Sequence, residues 1–435
     1  MVNDPGQAST REGEDEMVNT ADSESWVAVV AGDAPLTWRL WLSRLSQSSH
    51  LTPRGLEAAQ ALMEELANFL GDDWLERSRK GPEGCPLISM EWWPVNDTVH
   101  VARNLLNLGV QVAIARTCPG IRAVRQSTRD DPQHLFPALQ QIEIANLAYR
   151  DGFDVRYEPA LDSGKFADVE IRKGGRTQIL ESTEIGLDDE TIRISAFTDA
   201  VTGRIMAIER ELGVQITGEI GAVLRGRALD YLFERLEQLS KRVKDDGRDV
   251  VLPTPVSGQL RIARGPRVAG ATLSGPRVSS DEWSRLASTI ERKAKQTRGS
   301  RPAWIYIVEG GSLWYLTPWA RSTLAEKLAS VVMMVEPLID RTDHLAGVIL
   351  SNSWAWDAPR RANEQEWSPD GRAVALHQRR ALGRSRETIV IASPATAREG
   401  MLRGITGWFV REASWLDWGL STLGLPPAKA LLTPR

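Results

Sequence analysis

Two acidic residues are predicted to face each other across a β-hairpin. Gly174-Gly175 lies between two stretches of alternating polarity, Phe166–Lys173 and Arg176–Ile185, which is typical of two strands joined by a two-residue turn. If the two glycines form the turn, Asp168 stands directly opposite Glu181. Facing carboxylates repel each other unless they are solvated, share a proton or hold a cation. Both have apolar neighbours on the same strand face, which favours the cation.

A third carboxylate, Glu143, lies on the predicted helix Ala138–Arg150 that precedes the hairpin. Leu139 and Leu147 stand four residues to either side, so Glu143 is expected to project from a partly apolar stripe. A helix Glu, a strand Asp and an opposed strand Glu form a set of hard oxygen ligands suited to Mg²⁺ or Mn²⁺. Such an ion polarises a phosphoryl oxygen and lowers the pKa of a bound water. The alternative is a Glu143 on the helix surface and a solvated pair at a strand edge.

Residues 137–185 resemble the PD-(D/E)XK superfamily of nucleases, the restriction-endonuclease-like proteins. The resemblance rests on Glu143, on the segment Phe166–Ile171 with Asp168, and on the segment Ile179–Thr183 with Glu181. It implies an α/β (α+β) fold whose core is a central mixed sheet flanked by helices. In that core a helix and a three-stranded meander are followed by a further helix and strand, which residues 281–308 are expected to supply.

The resemblance also implies an activity. In this superfamily the three matching acids, Glu143, Asp168 and Glu181, bind one or two divalent ions, Mg²⁺ or Mn²⁺, and a lysine positions or activates the attacking water. The chain is therefore expected to hydrolyse phosphodiester bonds of nucleic acid, DNA in preference to RNA. Folds of this kind often serve prokaryotic defence or DNA processing.

The sequence departs from the superfamily pattern at two positions. Ala167 replaces a preferred proline, and Thr183 stands where the motif lysine is expected. Threonine cannot supply a positive charge, and the chain contains only nine lysines. Two of them are candidates for the missing group: Lys165, at the mouth of the second strand, and Lys293, on the predicted helix Asp281–Arg298.

The phase of that helix favours Lys293. Leu286 and Ile290 mark its apolar face, and Lys293 follows Ile290 by three residues, whereas Lys295 falls on another side. If no lysine reaches the acids, a catalytically inactive nuclease fold that binds nucleic acid or assembles with protein becomes the better interpretation. A third alternative is a structural α/β protein whose paired acids are surface residues.

The composition divides the chain into four parts. Residues 1–25 contain seven acids and one arginine, so we expect a disordered acidic tail. Residues 26–130 have a mainly helical pattern, and residues 131–355 hold the nuclease-like core with a helical insertion. Residues 356–435 form a C-terminal part rich in arginine and tryptophan. Because the net charge of −4 resides in the tail, the remaining chain is close to neutral.

A second group of candidate residues lies in the C-terminal part. Five arginines within fifteen residues are candidates for contacts with a nucleic-acid backbone: Arg372, Arg379, Arg380, Arg384 and Arg386. The alternative is a solvated surface, because arginine is abundant throughout the chain. The sixteen tryptophans either stack on unpaired bases or fill cores. Exposure of Trp354 and Trp356, beside a predicted strand, would distinguish these two roles.

Several other classes of protein lack support in the sequence. Two cysteines in 435 residues argue against a disulfide scaffold and suit a reducing cytoplasm. Without a continuous apolar stretch of about 18 residues, no membrane span is expected. Neither zinc-ligand spacing, a phosphate-binding loop nor a dinucleotide fingerprint is present. The expected partners are nucleic acid and either a second copy of the chain or another protein.

Overall fold

A computed structural model describes residues 35–81, 85, 87, 97–185, 189–254, 258–265, 273–274, 282–298, 301–309, 322–352, 364–379, 385–410 and 414–433. Within this part of the chain the fold consists of two compact units. The first comprises Met1–Thr183, Lys293–Tyr306 and Ile339–Arg435. The second comprises Glu184–Arg292 and Ile307–Leu338.

The described helices and strands alternate along most of the chain. In chain order the helices are α1 (Trp38–Leu45), α2 (Pro53–Leu70), α3 (Trp74–Lys80), α4 (Val99–Ala115), α5 (Ile121–Asp130), α6 (Leu135–Arg150), α7 (Asp189–Leu212), α8 (Arg227–Asp246), α9 (Glu282–Gln296), α10 (Leu324–Asp340), α11 (Pro394–Arg398), α12 (Met401–Val410), α13 (Trp415–Thr422) and α14 (Ala428–Leu431). The strands are β1 (Asp154–Tyr157), β2 (Val169–Lys173), β3 (Arg176–Ile185), β4 (Val214–Glu219), β5 (Val250–Pro253), β6 (Gln259–Arg264), β7 (Leu273–Ser274), β8 (Ala303–Glu309), β9 (Leu345–Ser351), β10 (Glu364–Trp367), β11 (Ala373–Arg379) and β12 (Ser385–Ala392).

The N-terminal region is helical, and its local sequence explains where α2 begins. The Thr52 side chain accepts a hydrogen bond from the backbone N–H of Gly55, and Pro53 occupies the first helical position. The apolar face of α2 packs against α4, where the two helices approach closely. A Cβ atom at Gly109 of α4 would lie 2.5 Å from the Cβ of Leu62, so this helix crossing requires glycine. Gly109 therefore permits close helix packing at the point where it interrupts the apolar pattern.

An eight-stranded sheet has the order β1-β2-β3-β8-β9-β12-β11-β10 and is flanked by helices. The strands β8 and β9 in its middle are buried along their whole length, which explains their nearly continuous apolar sequences. At one edge, β10 is exposed at all four residues. Its sequence, Glu-Gln-Glu-Trp, has no apolar alternation, so the sequence pattern did not predict this strand.

The second unit contains a smaller sheet of order β5-β6-β4-β7. The helices α7 and α8 cover β4 and β6 with apolar side chains and form a separate core. Representative members of this core are Ile205, Leu236, Val243, Ile216 and Ile262. Along the chain, α7, α8 and this sheet lie between β3 and α9, so the segment predicted as a helical insertion also contains strands.

The structure confirms the mixed α/β class and a large sheet flanked by helices. Most expected elements are found with small shifts at their ends; for example, the predicted helix Ala138–Arg150 begins earlier, at Leu135. The expected acidic tail, Trp354 and Trp356 lie outside the described residues. In the described part of the chain, no helix is both long and apolar enough to span a membrane.

Candidate active site

The β-hairpin that carries Asp168 and Glu181 has the predicted register. Lys173 pairs with Arg176 next to the Gly-Gly turn, and Val169 pairs with Leu180 at the start of β2. Continued by one residue, this register places Asp168 opposite Glu181. The backbone N–H of Ser182, the residue after Glu181, donates a hydrogen bond of 2.6 Å to Asp168 Oδ2. The end of β2 is therefore fixed against β3 by the aspartate side chain itself.

Lys293 from α9 lies against both carboxylates. Its Nζ donates a hydrogen bond of 2.8 Å to Glu181 Oε2 and lies 3.4 Å from Asp168 Oδ2. The Lys293 residue is 8% exposed and faces inward with Leu286 and Ile290, as the helical phase predicted. The other candidate, Lys165, is exposed, and so is Lys295. Because Thr183 cannot provide a cation, Lys293 supplies the positive charge of this group.

Glu181 is fully buried, with 0% exposure, whereas the Asp168 side chain retains 16%. The pair therefore does not lie at an open, solvated strand edge. One carboxylate oxygen of Glu181, Oε1, is buried and has no hydrogen-bond partner among the described residues. A buried carboxylate oxygen without a donor is energetically costly. This oxygen is the feature of the group that most directly favours an additional proton or cation.

The electrostatics of the group follow from this burial. Burial, reinforced by the negative charge of Asp168 and opposed by Lys293, raises the pKa of Glu181 to about 7. The pKa of Lys293 is also raised, because attraction by Asp168 and Glu181 outweighs the effect of its burial. Lys293 therefore remains positively charged, while Glu181 is able to exchange a proton near neutral pH.

Two glutamines of α6 contact the same end of the hairpin. Gln141 Nε2 donates a hydrogen bond of 3.0 Å to Asp168 Oδ1, and Gln140 Nε2 donates one of 2.7 Å to the Thr183 carbonyl. Ser182 Oγ also lies 3.1 Å from Asp168 Oδ2. These contacts were not predictable from the sequence, because neutral glutamine and serine side chains carry no chemical signal there. They hold Asp168 in place from two elements.

Glu143 of α6 is held elsewhere. It is fully buried, and the Tyr306 hydroxyl of β8 donates a hydrogen bond of 2.9 Å to its Oε2. Glu143 shares a helix face with Gln140, three residues before it, and its contact with Tyr306 places it at β8, the strand next to β3. In the described part of the chain, no three His, Cys, Asp or Glu side chains form a group able to hold a metal. The expected convergence of three carboxylates, with Glu143 as metal ligand, is thus not found there.

A different acid, Glu158, lies beside Asp168 on the β1 side. Tyr157 pairs with Val169, and in the next position the Glu158 N–H donates to the Asp168 carbonyl at 3.0 Å. Burial and the charge of Asp168 both raise the pKa of Glu158. Its φ of 45° lies in the left-handed region, which is uncommon for a residue with a side chain. Glu158 is not distinguished in the sequence, because it falls inside a stretch of alternating polarity.

The predicted arginine group is only partly described. Arg372 Nη2 forms an ion pair of 2.6 Å with Asp340 Oδ1. Arg386 is 2% exposed, and its guanidinium lies 4.9 Å from the centre of the Phe409 ring. Arg380, Arg384 and the side chain of Arg379 lie outside the described residues. The two described arginine side chains therefore do not form an exposed phosphate-binding surface, because one is engaged by an aspartate and the other is in the interior.

No protein-family model, curated protein sequence or solved structure matches this chain. The function is consequently inferred from the chain's own residues and from the order of its elements.

Proposed function

We propose that this protein is a divalent-metal-dependent nuclease that hydrolyses phosphodiester bonds, with DNA preferred over RNA. The observation that carries the proposal is the contact of the Lys293 ammonium with the two facing carboxylates, Asp168 and Glu181. A lysine beside two acids on a hairpin is the combination that the superfamily resemblance requires. Lys293 provides it despite the threonine at position 183.

The order of elements supports the same proposal. The helix α6 is followed by the meander of β1, β2 and β3, and α9 precedes β8, which adjoins β3 in the sheet. This is the sequence of helix, three strands, helix and strand expected for a restriction-endonuclease-like core. The insertion of α7, β4, α8 and β5–β7 separates its two parts along the chain.

The residues present fit Mg²⁺ or Mn²⁺. These ions are commonly held by one or two carboxylates, with waters and substrate phosphate oxygens completing the coordination. Asp168 and Glu181 supply two carboxylates, and the buried Glu181 Oε1 has no donor among the described residues. We therefore assign metal binding to Asp168 and Glu181, without requiring Glu143. When bound, the ion would neutralise phosphate charge and acidify a water molecule.

The chain's own groups have separable roles in this proposal. Asp168, partly exposed and fixed by Gln141 and Ser182, presents its carboxylate at the open side of the site. Lys293 places a permanent positive charge where a phosphate approaches the acids. Glu181, with its pKa of about 7, holds or releases a proton close to neutral pH.

A cleavage assay tests the proposal. Supercoiled plasmid and single-stranded DNA are incubated with Mg²⁺ or Mn²⁺ and with wild type, Asp168→Asn or Asp154→Asn. Asp154 is an exposed acid on β1 and serves as the matched control. We expect metal-dependent cleavage by wild type and the control, and a loss of at least about 100-fold in Asp168→Asn. Equal cleavage by all three proteins would contradict the assignment of the site.

The second candidate function is an inactive nuclease-like module that binds nucleic acid or assembles with protein. It is favoured by the number of donors around Asp168, because Gln141, Ser182 and Lys293 already engage its two oxygens. A wild-type chain that binds DNA but cleaves neither substrate with either metal would support this second function over the first.

A further inference from the structure

The connection between β1 and β2 forms an ordered tip next to the candidate site. The register that pairs Tyr157 with Val169 continues to an isolated bridge between Ala160 and Phe166. Beyond it, the N–H of Leu161 donates to the Lys165 carbonyl at 2.7 Å and closes the turn. The tip, residues 160–166, is therefore an extension of the hairpin with defined backbone hydrogen bonds.

The tip is anchored to the body of the first unit by apolar contacts and a hydrogen bond. Leu161 and Ala167 are buried in a small apolar cluster with Ile179 and Ala303. In addition, Gln296 Nε2 of α9 donates a hydrogen bond of 3.3 Å to the Phe166 carbonyl. The backbone around Phe166 is consequently held in place by two independent sets of contacts.

Phe166 nevertheless exposes its ring to solvent. The residue is 60% exposed, although its chain neighbour Ala167 is buried. Phe166 is two residues from Asp168 in the chain, and its carbonyl is held by Gln296, three residues after Lys293 on the same helix. The neighbouring Lys165 is also exposed. The tip therefore carries an exposed aromatic residue and an exposed lysine within three residues of Asp168.

We propose that Phe166 is a specificity-determining residue that stacks on an unpaired base next to the phosphate to be cut. Stacking on an aromatic ring requires an accessible base face, which a continuous duplex does not offer. The exposed Lys165 would contact the adjacent backbone phosphate. The preferred substrate is therefore single-stranded or locally unpaired nucleic acid, an inference that rests on the proposed nuclease function.

Binding measurements test this inference separately from cleavage. The full-length chain carrying Asp168→Asn is titrated in Mg²⁺ with a single-stranded oligonucleotide containing 2-aminopurine, whose fluorescence falls on stacking, and with a matched duplex. Phe166→Leu removes the aromatic ring but keeps an apolar side chain, and Phe166→Tyr preserves the ring. Trp367→Leu is the control, since Trp367 is an exposed aromatic on the distant strand β10.

We expect Phe166→Leu to weaken single-strand binding about tenfold or more and to abolish the quenching of 2-aminopurine. Phe166→Tyr and Trp367→Leu should stay within about twofold of the parent, and duplex affinity should be unchanged. Equal single-strand affinity in Phe166→Leu and the parent, an equal loss for the duplex, or no nucleic-acid binding by the parent would overturn the inference. Phe166-dependent binding together with a wild type that cleaves nothing would refute the nuclease proposal and leave the stacking role supported.

Discussion

The two halves of the large sheet bury charged side chains in different ways. At the β2–β3 hairpin, one ammonium, Lys293, faces two carboxylates, and an oxygen of Glu181 has no donor among the described residues. On the other half, the Arg386 guanidinium lies over the Phe409 ring, and Arg372 is paired with Asp340. Arg386 and Arg372 each have a contact that compensates the positive charge. In the hairpin group, two carboxylates face one ammonium, so an excess of negative charge remains.

This difference indicates which region is suited to bind a charged ligand. A buried charge with its own partner contributes to folding and has little left to offer a ligand. A group with excess charge and a buried oxygen without a donor gains stability when a cation or proton arrives. The hairpin group is therefore better suited to bind a charged ligand than Arg372 or Arg386, whose charges already have partners.

The largest expected effect on stability comes from removing the cation of the hairpin group. Lys293→Ala removes the ammonium group and leaves the carboxylates of Asp168 and Glu181 facing each other without a neighbouring positive charge. We expect the free energy of unfolding to fall by about 3–5 kcal/mol, measured by urea denaturation at pH 8. Lys295→Ala, an exposed residue of the same helix, should change it by less than about 0.5 kcal/mol. Equal small effects of both substitutions would contradict the assigned environment of Lys293.

The next effect is a pH dependence that belongs to Glu181. Its pKa is raised from 4.5 to about 7 in the folded protein, so the folded state binds this proton more tightly than the unfolded state. Its contribution to stability is therefore present below pH 4.5 and is lost as the pH rises to 7 and above. The loss is on the order of 3 kcal/mol. Comparing urea denaturation of wild type and Glu181→Gln at several pH values isolates it, because glutamine does not titrate in this range.

If the two proteins lose stability in parallel between pH 4.5 and 7, Glu181 does not have the raised pKa. Addition of Mn²⁺ at several pH values sharpens the test. A cation that binds Glu181 displaces its proton, so stabilisation of wild type by Mn²⁺ should increase with pH and be absent in Glu181→Gln.

A smaller loss of stability is expected in the half of the sheet that contains Arg386. Arg386→Ala removes a buried guanidinium from the Phe409 ring and should lower the free energy of unfolding by about 2 kcal/mol. Because the side chain is in the interior, affinity for single-stranded DNA should stay within about twofold of wild type. Reduced DNA affinity at unchanged stability would instead support the original prediction that Arg386 contacts phosphate.

The parts of the site that depend on local rules were predictable from the sequence. The Gly-Gly turn fixes the register of the hairpin and so places Asp168 opposite Glu181. Helical periodicity distinguished Lys293 from Lys295, because three residues after Ile290 is the same helix face and five residues is not. Both inferences needed only the geometry of a single element.

The remaining features depend on contacts between distant segments. Periodicity places Glu143 on an apolar stripe but does not say which strand that stripe covers, and in the structure it meets Tyr306. To predict the contact of Gln141 with Asp168, one must know how α6 is rotated over the sheet. To predict the burial of Arg386, one must know that it packs against Phe409. Glu158 was overlooked because a regular alternating stretch does not reveal a left-handed residue within it.

The most direct test of the central claim compares two lysines of α9 in one reaction. Single-turnover cleavage of DNA in Mn²⁺ is measured for wild type, Lys293→Met and Lys295→Met, after circular dichroism has confirmed that all three are folded. The proposed site predicts that Lys293→Met loses at least about 100-fold in rate while Lys295→Met retains the wild-type rate. Cleavage by a folded Lys293→Met protein at the wild-type rate would contradict the account.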